Sequence, residues 1–343
     1  MKIQSKGNKK KRRLDKNKNI YFGLNYYSRD IKEKNRTLTN QKLQKGEIKM
    51  KNVPDRHKMR IMVHPKVALF RRHGFLGEFD FKDFAKEEFL RSDIPNGEKF
   101  LSLVHTEKHI RKVKKACEVG AQLAEMQLTP ECYEIACLGV GTVILASEEG
   151  NFGIQCMTGH HAGRESAMGF NLFNSMAIAT QRLVNQGKKV CIIDIDGHHG
   201  NGTQNIFYDT DQVLFCSMHQ KDAFPGTGSE KEIGKGKGTG YTLNIPLPKG
   251  SGDSVFIEAL EKIVAKAVDF KPDIVGIYAG FDGYYADKLL ELNYSLKGFY
   301  ECGKIISQNF KQVFASLGGG YHQDPTKCIF AFVAGINQEE FPY

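Results

Sequence analysis

The sequence predicts an α/β fold, a single domain on an open, mostly parallel sheet with helices on both faces. Three observations predict it. Short apolar runs rich in β-branched residues, "KVCIIDID", "VLFCSMH" and "PDIVGIYAGFD", are too continuous for strands with a wet face and read as central parallel strands. Segments with helical spacing of apolar residues alternate with them, the pattern of β-α units. The apolar runs end in acids, histidines or glycines, where open parallel sheets collect their ligands.

The elements follow in order. "MRIMVHP" reads as a first strand, residues 107–126 as a helix, and 130–150 as a second, largely buried helix despite its glycines. Residues 166–187 read as a long helix closed by Gly187, a helix-ending signal. A strand over 189–196, a short helix over 203–209 and strands at 213–219 and 241–248 come next. The spacing then predicts a helix over 254–270, a strand over 272–282, one helix over 296–317 and a last helix over 326–336. No internal repeat is visible.

Charge divides the chain. It has 343 residues and a formal charge of +10, yet residues 1–60 hold 20 of the 49 Lys/Arg and 5 of the 39 Asp/Glu, so the remainder is mildly acidic. Basicity therefore belongs to the N-terminal segment and does not by itself mark the whole chain for nucleic acid. Residues 1–58 are expected to be a disordered extension or an over-extended start, with Met50 or Met59 as the alternative. A basic arm for nucleic acid is the functional alternative. Eight cysteines without a C-x-x-C pair indicate buried free thiols in a reducing compartment. No apolar run approaches the length of a membrane span and "MKIQSKGNKKKRR" has no apolar region of a secretory signal, so a soluble, cytoplasmic protein is expected.

The chemistry concentrates in "IIDIDGHHGNGTQ". If the strand stays extended to its end, Asp194, Asp196 and His198 share one face. Buried like charges repel, and a cation resolves the conflict; carboxylate and imidazole donors suit zinc. Asp282, directly after another apolar run, completes a set of two carboxylates and one histidine and leaves a position for water and substrate. A second pair, His160 and His161 in "TGHHAGRES", reads as acid/base groups. Tyr321 follows three glycines in "SLGGGYHQD", where the backbone can bring a phenol close to a reacting carbonyl. The glycine-rich "GKGKGTGY", 234–241, precedes a strand rather than opening a helix, so it is a surface turn and not a phosphate loop.

In this order (HH, DxDxHHGNGT, FPGTG, AGFD, GGGY) the motifs resemble those of the histone deacetylase and acetylpolyamine amidohydrolase superfamily, from about residue 60 to the C-terminus. "VHTEKHI", "GFNLFNSMAIA" and "LNIPLP" are similar to segments of that family in the same order. The resemblance implies an arginase-like open α/β fold and a metal-dependent amidohydrolase that removes an acyl group from an amine, acetyl-lysine in protein or an acetylpolyamine. It implies a Zn2+ or Fe2+ ion on Asp196, His198 and Asp282. His161 would be the general base and then acid, with His160 its electrostatic partner hydrogen-bonded to Asp194. Tyr321 would polarise the carbonyl. Gly169, Phe170 and Phe224 would form a narrow slot with Leu289 near its mouth. Asp194 and Ser217 match positions around a structural K+ ion. Departures from the family pattern are Asn201 in place of aspartate, Tyr284 and Tyr285 at the expected rim, His322 in place of asparagine, and no proline-glutamate-arginine run near the entrance. An arginase-like two-metal ureohydrolase would need a D-x-D spacing that "FDGYYAD" lacks, and a non-catalytic acyl-amine-binding module would not need the acid/base groups that are present.

Overall fold

The computed structural model describes residues 57–343 apart from 71, 75–76 and 80–81. The expectation for residues 1–58 falls outside that range except at its end. There His57 meets Asn151 (3.3 Å) and Lys58 pairs with Glu339 (2.9 Å).

In chain order the elements are β1 (Ile61–Met62), α1 (Pro65–Leu69), β2 (Arg72–Gly74), β3 (Gly77–Phe79), α2 (Glu107–Glu118), β4 (Gln122–Leu123), β5 (Met126–Gln127), α3 (Glu131–Glu149) and β6 (Phe152–Gly153). Then follow α4 (Ser175–Asn185), β7 (Val190–Asp194), α5 (Asn201–Phe207), β8 (Val213–Gln220), β9 (Thr242–Leu247), α6 (Asp253–Phe270), β10 (Ile274–Ala279), α7 (Leu296–Asn309), β11 (Val313–Leu317) and α8 (Pro325–Ile336). Seven strands form one sheet in the order β1-β6-β11-β10-β7-β8-β9, every ladder parallel. The chain moves one way across the sheet through α3, α4 and α5 and returns through α6 and α7. With right-handed crossovers this reversal puts the two groups of helices on opposite faces. In agreement, α3 packs on α4, while α7 packs on α6 and α8. The reversal leaves a crevice at the carboxyl ends of β7 and β10, the place where open α/β sheets bind ligands.

All five residues of β7 and all eight of β8 are buried, as continuous apolar runs require. The eight cysteines are buried and free. No helix among the described residues is long and apolar enough to cross a membrane.

Several expected elements differ. The helix expected over 107–126 ends at Glu118; Gly120 takes a left-handed φ of 64°, and the chain turns back through the β4–β5 hairpin. The helix expected over 166–187 starts only at Ser175, capped by the Asn174 side chain, because Gly169 and Phe170 are left-handed (φ 55° and 64°) and break the spiral. The single helix over 296–317 is a helix followed by a strand: α7 stops at Asn309, and "VFASL" enters the sheet between β10 and β6. Residues 234–241 form a turn with a short 3-10 stretch that leads into β9.

Candidate active site

The site starts where β7 stops. The extended run over 189–196 ends at Asp194, so Asp194, Asp196 and His198 do not share a strand face as the sequence suggested. Side chains build a turn instead. Asp194 Oδ1 accepts from the Asp196 N–H (3.2 Å), and Asp196 Oδ1 accepts from the His198 N–H (2.9 Å). The turn separates the two carboxylates: Asp194 faces His160, whereas Asp196 joins His198.

Asp282, just beyond β10, meets this turn. Its Oδ1 accepts from the Gly197 N–H (2.6 Å) and its Oδ2 lies 2.6 Å from His198 Nδ1, which is also 3.4 Å from Asp196 Oδ1. Donor atoms of Asp196, His198 and Asp282 all lie within 4.8 Å of one another. Glycines permit this crowding. A Cβ at Gly280 or Gly318 would overlap Asp196, one at Gly319 would overlap Asp282, and one at Gly197 would overlap Leu290. The Gly319 N–H also donates to Asp196 Oδ2 (2.7 Å).

Electrostatics test whether a cation fits. Both carboxylates are essentially buried. Burial, then the neighbouring Asp196 charge, pushes the Asp282 carboxyl up to about 7. Burial opposes a proton on His198, but Asp282 and Asp196 outweigh it and raise the imidazole to about 10. The cluster thus retains protons to balance its acids, as expected of a site built to exchange them for a divalent ion. Two carboxylates and one imidazole suit zinc and leave a coordination position open.

The histidine pair lies beside this cluster. His160 Nδ1–H donates to Asp194 Oδ2 (2.8 Å), and His161 Nδ1–H donates to Asn201 Oδ1 (2.8 Å). With both Nδ1 atoms anchored, the two Nε2 atoms converge to 3.1 Å, and that of His160 lies 3.8 Å from Asp196. Burial disfavours charge on His160, yet Asp194 and Asp196 raise its pKa; burial and then His160 hold His161 well below the usual imidazole value. The two rings are thus pushed in opposite directions, His160 toward the charged form and His161 toward the neutral one. Burial, against the His160 attraction, lifts Asp194 to about 6.

The chain matches the histone deacetylase domain model over residues 75–335. It belongs to the histone deacetylase family. Among its relatives are the chloroplastic Histone deacetylase 10 of Oryza sativa subsp. japonica, 36% identical over 262 residues, and a probable deacetylase of Archaeoglobus fulgidus, 38% identical over 233 residues. These matches cover 70% and 64% of this chain but 57% and 65% of the relatives, so the chain spans about three fifths of their length. The crystal structure of an HDAC homologue from Aquifex aeolicus is 31% identical, with a TM-score of 0.74, over 83% of this chain and 85% of that one.

The remaining residues expected from the deacetylase resemblance are distributed around the pair. Phe224, 45% exposed, sets its ring 5.0 Å from His161 and 6.2 Å from His198. Gly169 abuts His161 so closely that any Cβ there would overlap the imidazole. The Phe170 ring lies 6.1 Å from that of Tyr321, whose N–H donates to Asp287 Oδ2 (2.7 Å). Leu289 is exposed, next to Leu290. Asp194 and Ser217 are register partners on β7 and β8, and Ser217 Oγ contacts His219 Nδ1 (2.9 Å). The departures do not all lie at the rim. Tyr284 is buried against His322 with ring centroids 4.7 Å apart, and of the two tyrosines only Tyr285 is exposed.

Sequence reasoning missed the residues that hold these groups. Tyr278 stacks on His160 (4.4 Å), and Asn171 Oδ1 accepts from the His161 N–H (3.0 Å). The "VHTEKHI" segment clamps the loop that carries the pair: His105 Nδ1–H donates to the Gly163 carbonyl (2.9 Å), and His109 Nε2–H donates to the Leu172 carbonyl (2.9 Å). Behind His198, a network fixes the loop after Phe224. Glu232 accepts from Gln204 Nε2 (2.6 Å), Gln204 Oε1 accepts from His199 Nε2–H (3.0 Å), and His199 Nδ1 accepts from the Thr227 hydroxyl (2.7 Å). Of these, Tyr278 sits in an apolar run, His105, His109 and Asn171 fall in segments singled out only for their family likeness, and His199, Gln204, Thr227 and Glu232 are polar residues in polar stretches, with no local sign of a supporting role.

Proposed function

We propose that this chain is a metal-dependent amidohydrolase that removes an acetyl or related acyl group from an amine, acetyl-lysine in protein before all. The observation that carries the reading is the convergence of two anchored imidazoles on one point beside a buried Asp-His-Asp cluster. Names of relatives as deacetylases support it.

Asp196, His198 and Asp282 would hold the ion, zinc by donor chemistry and ferrous iron as the alternative. A divalent ion there would polarise the acyl carbonyl and make water a stronger nucleophile. His161, anchored to Asn201 through Nδ1 and pushed toward its neutral form, takes a proton on Nε2 from the attacking water and returns it to the leaving nitrogen. His160, pushed toward its charged form by Asp194, stabilises the negative charge that develops beside it. The Tyr321 hydroxyl donates to the carbonyl oxygen as it gains charge. Water and amide become carboxylate and free amine. Phe224, Phe170 and Gly169 line a slot that admits an unbranched stem, with Leu289 toward its mouth. A K+ ion near Asp194 and Ser217 would be structural.

A small acetylated polyamine is the second reading, and the acidic balance of the chain beyond residue 60 suits a cationic substrate in either case. A two-metal ureohydrolase has less support: among the described residues one three-ligand cluster is found. Rates on an acetyl-lysine peptide and on acetylputrescine, with the zinc-loaded protein, decide between the first two. A higher kcat/KM on the peptide is expected. A large preference for the polyamine would transfer the reading to small amides.

A further inference from the structure

The slot wall formed by Gly169 and Phe170 is held from outside the site. Both residues are left-handed, and neither N–H enters a helix or a named strand. Both point at the tip of the β4–β5 hairpin. The Gly169 N–H donates to Glu125 Oε2 (2.8 Å), and the Phe170 N–H donates to the Ala124 carbonyl (3.2 Å). The tip is itself left-handed at two consecutive non-glycine residues, Ala124 (φ 52°) and Glu125 (φ 61°), positions that tight hairpins normally give to Asn or Gly. Glu125 is exposed, so its side chain is not there to fill the core.

We propose that Glu125 is a positioning residue whose carboxylate seats the Gly169–Phe170 wall against His161. A buried N–H that enters neither helix nor sheet needs an acceptor, and a carboxylate is a stronger one than a neutral group. Gly169 transmits the effect, because its backbone lies directly against the imidazole and leaves no room for a Cβ. Phe170 carries it on to the ring of Tyr321. The inference rests on the slot reading above, and its test has one arm independent of turnover.

The experiment compares wild type, Glu125→Ala and Glu125→Gln in the full zinc-loaded protein. Hydrogen–deuterium exchange is followed on a peptide covering residues 165–172, and kcat and KM are measured on an acetyl-lysine peptide. Glu125→Ala should exchange about tenfold faster at this segment and raise KM about tenfold with kcat nearly kept. Glu125→Gln keeps an acceptor oxygen and should behave as wild type within about twofold. Unchanged exchange in Glu125→Ala would overturn the proposal, whatever the activity. So would Glu125→Gln that stays protected yet shows the KM of the alanine variant, since charge toward substrate would then be the role. If no variant turns over, exchange alone decides the positioning role, and the amidohydrolase reading fails separately.

Discussion

At the scale of single residues, Asn201 sets the character of His161. It accepts from Nδ1–H without bringing a charge, so burial and the neighbouring His160 keep the imidazole neutral. A base is active once deprotonated, so activity falls as pH drops through its pKa. Asn201→Asp would stabilise the imidazolium and raise that pKa, moving the acid limb of the kcat/KM profile to higher pH. A pH–rate profile of both proteins checks this; a limb that stays in place or moves to lower pH contradicts it. The acids and histidines that the fold brings together were legible, because such residues beside glycines at the end of an apolar run have few bland explanations. Their supports were not. Tyr278, Asn171 and Glu232 act through partners distant in sequence, and nothing local distinguishes Asn171 from a loop asparagine.

At the scale of elements, the glycines after β10 and β11 determine whether Asp196 and Asp282 can face one another. Gly319 stands where a Cβ would press on both carboxylates while its N–H holds Asp196. Gly319→Ala should lower zinc affinity by about tenfold or more, the value of one charge-assisted hydrogen bond. Competition with a chromophoric chelator measures it, and unchanged affinity would show that the backbone gives way. Element boundaries were the least legible part of the sequence. "VFASL" continues the helical spacing of α7 without punctuation, yet β10 and β6 offer it a parallel ladder on both sides, and that long-range pairing overrides the local pattern. β6 is two residues long and gives no periodicity. The strand over 189–196 was legible in type but two residues too long at its carboxyl end, so Asp196 and His198 were found for a reason the turn does not use.

Across the folded domain, buried histidines outnumber the carboxylates that oppose them. Burial, first among the causes, depresses His105 and His219 to about 3 and His199 to about 4, and lowers His109 and His161 as well. An unfolded histidine binds its proton below about 6.5, whereas these folded ones remain neutral, so the unfolded state gains protons and stability falls as pH drops. Asp194 and Asp282, raised to about 6 and about 7, and His198 and His160, whose pKa values are also raised, work in the opposite direction but are fewer. The metal-free protein should therefore lose at least about 1.4 kcal/mol per pH unit below about pH 6. Urea unfolding at pH 7.5 and pH 5.5 in the presence of a chelator tests this; equal or greater stability at pH 5.5 contradicts it.

The central claim is that the His160–His161 pair, His198 and the two aspartates beyond β7 and β10, Asp196 and Asp282, form one hydrolytic site. Acetate release from an acetyl-lysine peptide, by zinc-reconstituted protein beside a His161→Ala variant that binds the same amount of zinc, tests it most directly. The account predicts release by the first and a loss of at least about a hundredfold in the second. Equal release by both, or none from wild type with zinc bound and the fold intact, would contradict it.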